Sequence, residues 1–106
     1  MNEREFTRSI RGAHMFRAMA RDTLEADLWR GYAQGLRRHY HGEAFGTATQ
    51  HKYWMDQVRS DHESRRALGR GYHLGFQATP VTSVLRTLAR NRKEKEPLGD
   101  RYTTGA

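Results

Sequence analysis

Apolar residues recur along this chain at spacings of three and four, and hardly anywhere in strict alternation. Phe6, Ile10, Ala13 and Phe16 keep that rhythm near the start; Val81, Val84, Leu85 and Leu88 keep it near the end. This period gathers side chains on one face of an α-helix, whereas a half-buried strand needs alternation. Valine and isoleucine are scarce, so no segment reads as a sheet. The pattern predicts five helices, at about 3–20, 23–40, 48–59, 61–77 and 80–93. Gly12 is a bend point in the first, and His51, Trp54 and Val58 share one side of the third. The connections are short, as between neighbours in a bundle. The expected fold class is all-α, a compact bundle of about five short helices. Residues 1–93 form its single helical domain, and residues 94–106, which lack periodicity, form a flexible basic C-terminal tail.

Start signals support these boundaries. Asn2 with Glu5, Asp22 with Glu25, Thr47 with Gln50 and Ser60 with Glu63 each set a capping side chain three residues before an acid or amide. In that arrangement the two side chains satisfy backbone N–H groups that the first helical turn leaves without partners. Thr79-Pro80 supplies a fifth start, with proline at the first helical position.

Two stretches forty positions apart disturb the helical reading. Arg30-Gly-Tyr-Ala-Gln-Gly-Leu36 and Arg70-Gly-Tyr-His-Leu-Gly-Phe76 each hold two glycines four residues apart inside a helix. An interior glycine costs about 1 kcal/mol relative to alanine, so four cost roughly 4 kcal/mol. Against a total stability of about 5–15 kcal/mol that is a large concession. At about 100° per residue, Gly31, Gly35, Leu28, Tyr32 and Leu36 share an apolar face of the second helix, and Gly71, Gly75, Leu68, Tyr72 and Phe76 share one on the fourth. A missing Cβ lets two helix backbones approach closely. The expectation is that the second and fourth helices are pseudo-equivalent and cross at Gly31, Gly35, Gly71 and Gly75, with Tyr32 and Tyr72 beside the crossing. Two other readings stand beside this one: Gly35 and Gly75 as C-terminal caps, or an exposed strip that receives a partner's helix or a phosphate backbone. Gly42 and the Ala78-Thr79-Pro80 stop are the better terminators.

Charge adds a partner class to the picture. The 106 residues carry 19 basic and 12 acidic side chains, a net +7, and every base except Lys52, Lys93 and Lys95 is arginine. Arginine forks onto phosphate and carboxylate and stacks on rings, which points to nucleic acid, a ribonucleoprotein complex or an acidic protein surface. A GC-rich genome produces the same bias without selection for binding. Arg86, Arg90 and Lys93 lie along one edge of the fifth helix, opposite its valine-leucine stripe. With the short turn before it, the fourth and fifth helices fit a helix-turn-helix whose second helix presents arginines to a groove. Arg30, Arg37 and Arg38 fill the polar arc of the second helix. These six are the candidate contacts to nucleic acid or a partner; the alternative is a solvated polar face. Trp29 and Tyr53 are candidate dimer contacts.

Catalytic motifs do not emerge. There is no cysteine, hence no disulfide, thiolate or cysteine zinc chemistry, which fits a reducing cytoplasm. No apolar run has the length of a membrane span, so no membrane partner is expected. His39, His41, Glu43 and His51 invite a metal reading, but no two of the six histidines stand three or four apart on a helix, as a helical metal pair requires. Asp61 and Glu63 suit a helix N-terminus without any catalytic role. No GxSxG, Walker loop or strand-led GxGxxG occurs. A non-enzymatic binding protein without metal or cofactor is the expectation, and a histidine-dependent hydrolase is a distant third reading.

The run Gly31-Tyr-Ala-Gln-Gly, the Phe45-Gly-Thr turn, the Trp54 helix and the second Gly71-Tyr-His-Leu-Gly together resemble short accessory proteins of bacterial phages and integrated elements. The resemblance covers roughly residues 28–76. It implies a small DNA binder, or an inhibitor of host defence of the anti-CRISPR kind that binds a protein subunit of a CRISPR effector. It prescribes no active residue.

Overall fold

The computed structural model describes the backbone of residues 1–95 and the side chains of residues 1–92. Five α-helices follow one another: α1 (Glu3–Ala18), α2 (Thr23–His41), α3 (Ala48–Asp56), α4 (Glu63–Phe76) and α5 (Val81–Lys95). Short 3-10 turns at Gly42–Ala44 and Gln57–Arg59 follow α2 and α3. The described residues are all-α, without strand. The expected tail lies outside them, apart from the backbone of Glu94 and Lys95, which continues α5.

Three of the four side-chain caps form. Asn2 accepts from Glu5 N–H at 2.8 Å and Asp22 from Glu25 N–H at 2.9 Å. Thr47 and Gln50 make a reciprocal capping box at 3.1 and 2.9 Å. Ser60 does not cap α4. It ends the 3-10 turn in extended backbone, and its hydroxyl accepts from His62 N–H at 3.2 Å. The chain spends these residues turning back from α3, so α4 starts only at Glu63. α1 runs unbroken through Gly12, which faces Val81 of α5.

α2 stops at Gly42, whose φ of +63° suits a residue without Cβ. α4 stops differently. Thr79 N–H bonds Leu74 O and Ala78 N–H bonds Gly75 O, both at 2.9 Å, with Ala78 at φ +55°. This is a Schellman stop in which alanine occupies the left-handed position usually given to glycine.

α1 lies antiparallel to α2, since Phe6 stacks on Tyr40 and Phe16 on Trp29. α3 lies antiparallel to α4 in the same manner, with His51 against Phe76 and Trp54 stacked on Tyr72. Two helical hairpins therefore repeat at an offset of forty residues. They meet through their second helices. A Cβ at Gly31 would overlap the Leu68 carbonyl, and one at Gly71 would overlap the Leu28 carbonyl. Gly35 bears the same relation to the Tyr72 carbonyl, and Gly75 to the Tyr32 carbonyl. Each pairing has its counterpart forty residues on, so α2 and α4 cross in parallel about a pseudo-two-fold axis.

The close approach compensates for the glycines. A glycine Cα–H that faces a carbonyl makes a weak hydrogen bond of about 0.5–1 kcal/mol. Four such contacts offset most of the roughly 4 kcal/mol that four helical glycines cost. Tyr32, Leu36 and Tyr72 are buried beside the crossing. The main core lies on one side of it, where Ala13, Leu28, Trp29, Tyr32, Ala33, Leu36, Val84 and Leu88 pack together. Trp29 is 2% exposed, so its burial against Phe16 removes it as a dimer contact, whereas Tyr53 is open to solvent.

Candidate functional site

The outer surface of α1 carries a feature the sequence analysis passed over. Arg4, Arg8 and Arg11 stand at i, i+4 and i+7, all exposed. The inward Phe6, Ile10 and Ala13 turn them outward. The signal was the ordinary helical spacing of a polar edge, masked by Glu3 and Glu5 interleaved with it. Arg8 lines a groove of about 450 Å³ between α1 and the start of α5, and Thr82 lines it from the α5 side. Thr82, Arg86 and Arg90 then follow at four-residue spacing along α5, each exposed. Arg4, Arg8 and Arg11 together line a depression on α1, while Arg86 and Arg90 form a separate edge on α5. The side chain of Lys93, the third base expected on the α5 edge, lies outside the described residues.

Glu3 lies among Arg4, Arg8 and Arg11, and Glu5 shares the groove with Arg8, neither forming an ion pair among the described residues. Glu5, Asp22 and Glu25 are engaged at helix starts. Among the described residues there are two ion pairs: Arg59–Asp56 at 2.7 Å and Arg92–Glu25 at 2.6 Å. The second joins the end of α5 to the start of α2 and is the better shielded, with Glu25 largely buried. Neither involves Arg4, Arg8, Arg11, Arg86 or Arg90.

α4 and α5 are joined at Gln77–Pro80, and Glu63, Arg66 and Arg70 of α4, Leu88, Asn91 and Arg92 of α5 and Asp22, Glu25 and Leu28 at the start of α2 line one groove of about 270 Å³. Val84 and Leu88 of α5 join Trp29 and Ala33 of α2 and Ala13 of α1 in the core.

The three bases named on α2 fall in different surroundings. Arg30 is exposed. Arg37 is half-buried, its Nη2 3.4 Å from His14 Nε2 on α1. Arg38 turns into a cavity of about 180 Å³ among α2, α3 and the loop between them, lined also by Gln34, Phe45, His51, Trp54 and Tyr72. Its Nη1 donates to the Gly46 carbonyl at 3.0 Å, while its enclosed Nε has no acceptor. His51 Nδ1 and the Tyr72 hydroxyl share a hydrogen bond of 2.8 Å. Burial, then the charge of Arg38, then His73, hold the His51 pKa below its ordinary value. Burial raises that of Tyr72, against Arg38.

The other tyrosine of the pair is structural. Tyr32 is fully enclosed and donates to the Thr79 carbonyl at 2.6 Å, pinning the α4–α5 turn to α2. Burial pushes its pKa up to about 12. Two histidines are also bound to backbone: His39 Nδ1 donates to the Phe76 carbonyl at 2.8 Å and His73 Nε2 to the Met55 carbonyl at 3.2 Å. Among the described residues no three or more histidine, aspartate or glutamate side chains come close enough to hold a metal ion. No described helix is long and apolar enough to cross a membrane.

The fold and surface define a class: paired helical hairpins crossed at glycine, with arginine edges outside. Comparison of the chain with family models, curated sequences and solved structures returns no match.

Proposed function

We infer that this is a small, non-enzymatic binding protein that engages nucleic acid, or a complex containing it, through phosphate contacts along α1 and α5. One observation carries the reading: Arg4, Arg8 and Arg11 line one depression on α1, Arg86 and Arg90 follow at four-residue spacing on α5, and among the described residues none of these five exposed arginines forms an ion pair. Forked guanidinium groups in a row suit a polyanion with regularly spaced phosphates. The likeness to phage and mobile-element accessory proteins agrees with such a role.

A direct binder loses affinity as salt rises, with a log–log slope of about −0.9 per neutralised phosphate on duplex DNA. Arg8→Glu with Arg11→Glu should weaken binding to any sequence and flatten that slope by about one per lost contact. Fluorescence anisotropy of labelled DNA and RNA over a salt series measures both. No binding to either at low salt overturns the reading.

A second reading rests on a different feature. Met15 and Met19, 52% and 67% exposed, extend the edge begun by Arg4, Arg8 and Arg11. Exposed methionine beside arginine is characteristic of protein interfaces. It favours a protein subunit of a nucleic-acid-containing defence complex as the partner. Recovery of one such subunit on the protein, lost with Met15→Lys, would promote it.

A further inference from the structure

The cavity at Arg38 is chemically unlike the arginine edges. Its walls are rings: Phe45, His51, Trp54 and Tyr72. Its polar lining includes the Gln34 and Gln50 amides and the Arg38 guanidinium, with Gln50 engaged in the Thr47 capping box. At about 180 Å³ it is smaller than the roughly 300–1,000 Å³ of drug-sized pockets and has room for one planar group. We propose that this cavity receives a single unstacked nucleobase from a single-stranded segment, stacked on its aromatic wall and read at its edge by Gln34 and Arg38. The proposal rests on the nucleic-acid reading above and adds to it a site that distinguishes single strands from duplex.

Four observations support a base over an acidic side chain. The lining is largely aromatic, and a planar ring stacks on such side chains where a carboxylate gains little. The Phe45 side chain is partly exposed at the rim and free to stack. His51 is hydrogen-bonded to Tyr72, and burial, then Arg38 and His73, disfavour its charged form, whereas an anion cradle gathers several positive groups. Arg38 keeps one guanidinium nitrogen on Gly46 and leaves Nε enclosed without an acceptor. An orphaned buried donor is costly, so turning the guanidinium edge toward a base that offers two acceptors relieves that cost. Phosphates on either side of the base have cations to meet. Arg30 lies two turns before Arg38 on α2, and Lys52 follows His51 on α3; both are exposed.

The test uses the full chain and three probes of equal length: a single-stranded homopolymer, an abasic strand and a duplex. Trp29 is buried in the core, so emission changes on binding report Trp54. The single strand should quench Trp54 and bind more tightly than the abasic strand by roughly 5- to 150-fold, the worth of one stacked base. Trp54→Leu should remove that preference and Gln34→Ala should reduce it, both leaving duplex affinity unchanged. If Trp54→Leu unfolds the α3–α4 hairpin, Gln34→Ala and the abasic comparison still decide. Equal affinity for the abasic and base-bearing strands, with unchanged Trp54 emission, overturns the cavity proposal and leaves the nucleic-acid reading standing. Absence of binding to all three probes at low salt overturns both. Quenching by polyglutamate alone gives the cavity to an acidic protein instead.

Discussion

Glycine carries opposite meanings at different positions of this chain, and substitution separates them. Gly31 has the Leu68 carbonyl where a Cβ would stand, so Gly31→Ala forces backbone apart. We expect a loss of about 2–4 kcal/mol, read from urea unfolding, as for overpacking of a tight contact. At Gly12 a Cβ would meet Val81 Cγ2 at 3.5 Å, an ordinary contact. Gly12→Ala should therefore stabilise by about 0.5–1 kcal/mol through helix propensity and unfolded-chain entropy. Ala78 presents the reverse case. It holds φ +55° at the end of α4, where an L side chain costs about 1–2 kcal/mol, so Ala78→Gly should raise the melting temperature. The Gly-x-x-x-Gly spacing was legible in the sequence because its helical cost demanded a reason. The strain at Ala78 was not: Ala78-Thr79-Pro80 reads as a stop, but alanine gives no sign of the left-handed backbone that glycine would.

α3 is held to α4 by rings and by the side-chain hydrogen bonds of His51 and His73 more than by buried aliphatic groups. His51 bonds the Tyr72 hydroxyl, Trp54 stacks on Tyr72 at 5.4 Å, and the Gly69 backbone lies against Gln57 and Val58. This makes the α3–α4 contact sensitive to pH. The pKa of His51 is depressed in the folded protein from its model-peptide value of 6.5. Below that pH the unfolded chain takes up a proton that the folded protein resists. Stability is thus full above the unfolded pKa and is lost as pH falls through the folded one. Melting temperatures between about pH 7 and pH 5 should fall, and His51→Gln, which keeps a partner for Tyr72, should flatten that fall. The helices themselves were readable from period and caps, to within about two residues for α1 and α5. Ser60 was the exception: α4 begins at Glu63 with His62 at its N-cap, and the Ser60 hydroxyl accepts from His62 N–H instead of capping the helix.

Across the whole molecule, the parallel crossing of α2 and α4 couples two sides that share few other contacts. Trp29 reports the core between α1, α2 and α5, and Trp54 reports the α3 side. Because the crossing joins main chain to main chain, the two sides should unfold together. Single-tryptophan variants Trp29→Phe and Trp54→Phe should give coincident denaturation midpoints once corrected for their own stability. Distinct transitions would mean that the hairpins melt separately. The arginine distribution also belongs to this scale. Arg86 and Arg90 were visible as one edge of a helix, but the placing of Arg8 in a groove with Pro80, Val81 and Thr82 of the α5 start depends on how α1 and α5 pack.

The sequence alone determined what depends on neighbours along the chain: helical period, caps, the stop at Gly42, and the duplicated glycine ridges that cannot stay helical in water without recompense. The tertiary structure decided everything set by distant neighbours. It made α2 and α4 parallel, drew α5 onto α1 and α2, buried Trp29, and closed Arg38 with His51, Trp54 and Tyr72 around one small cavity. The physical reason is that local hydrogen bonds and torsions fix a helix within a few residues. Which of its faces meets which partner follows from the competition of all apolar surfaces for the same interior.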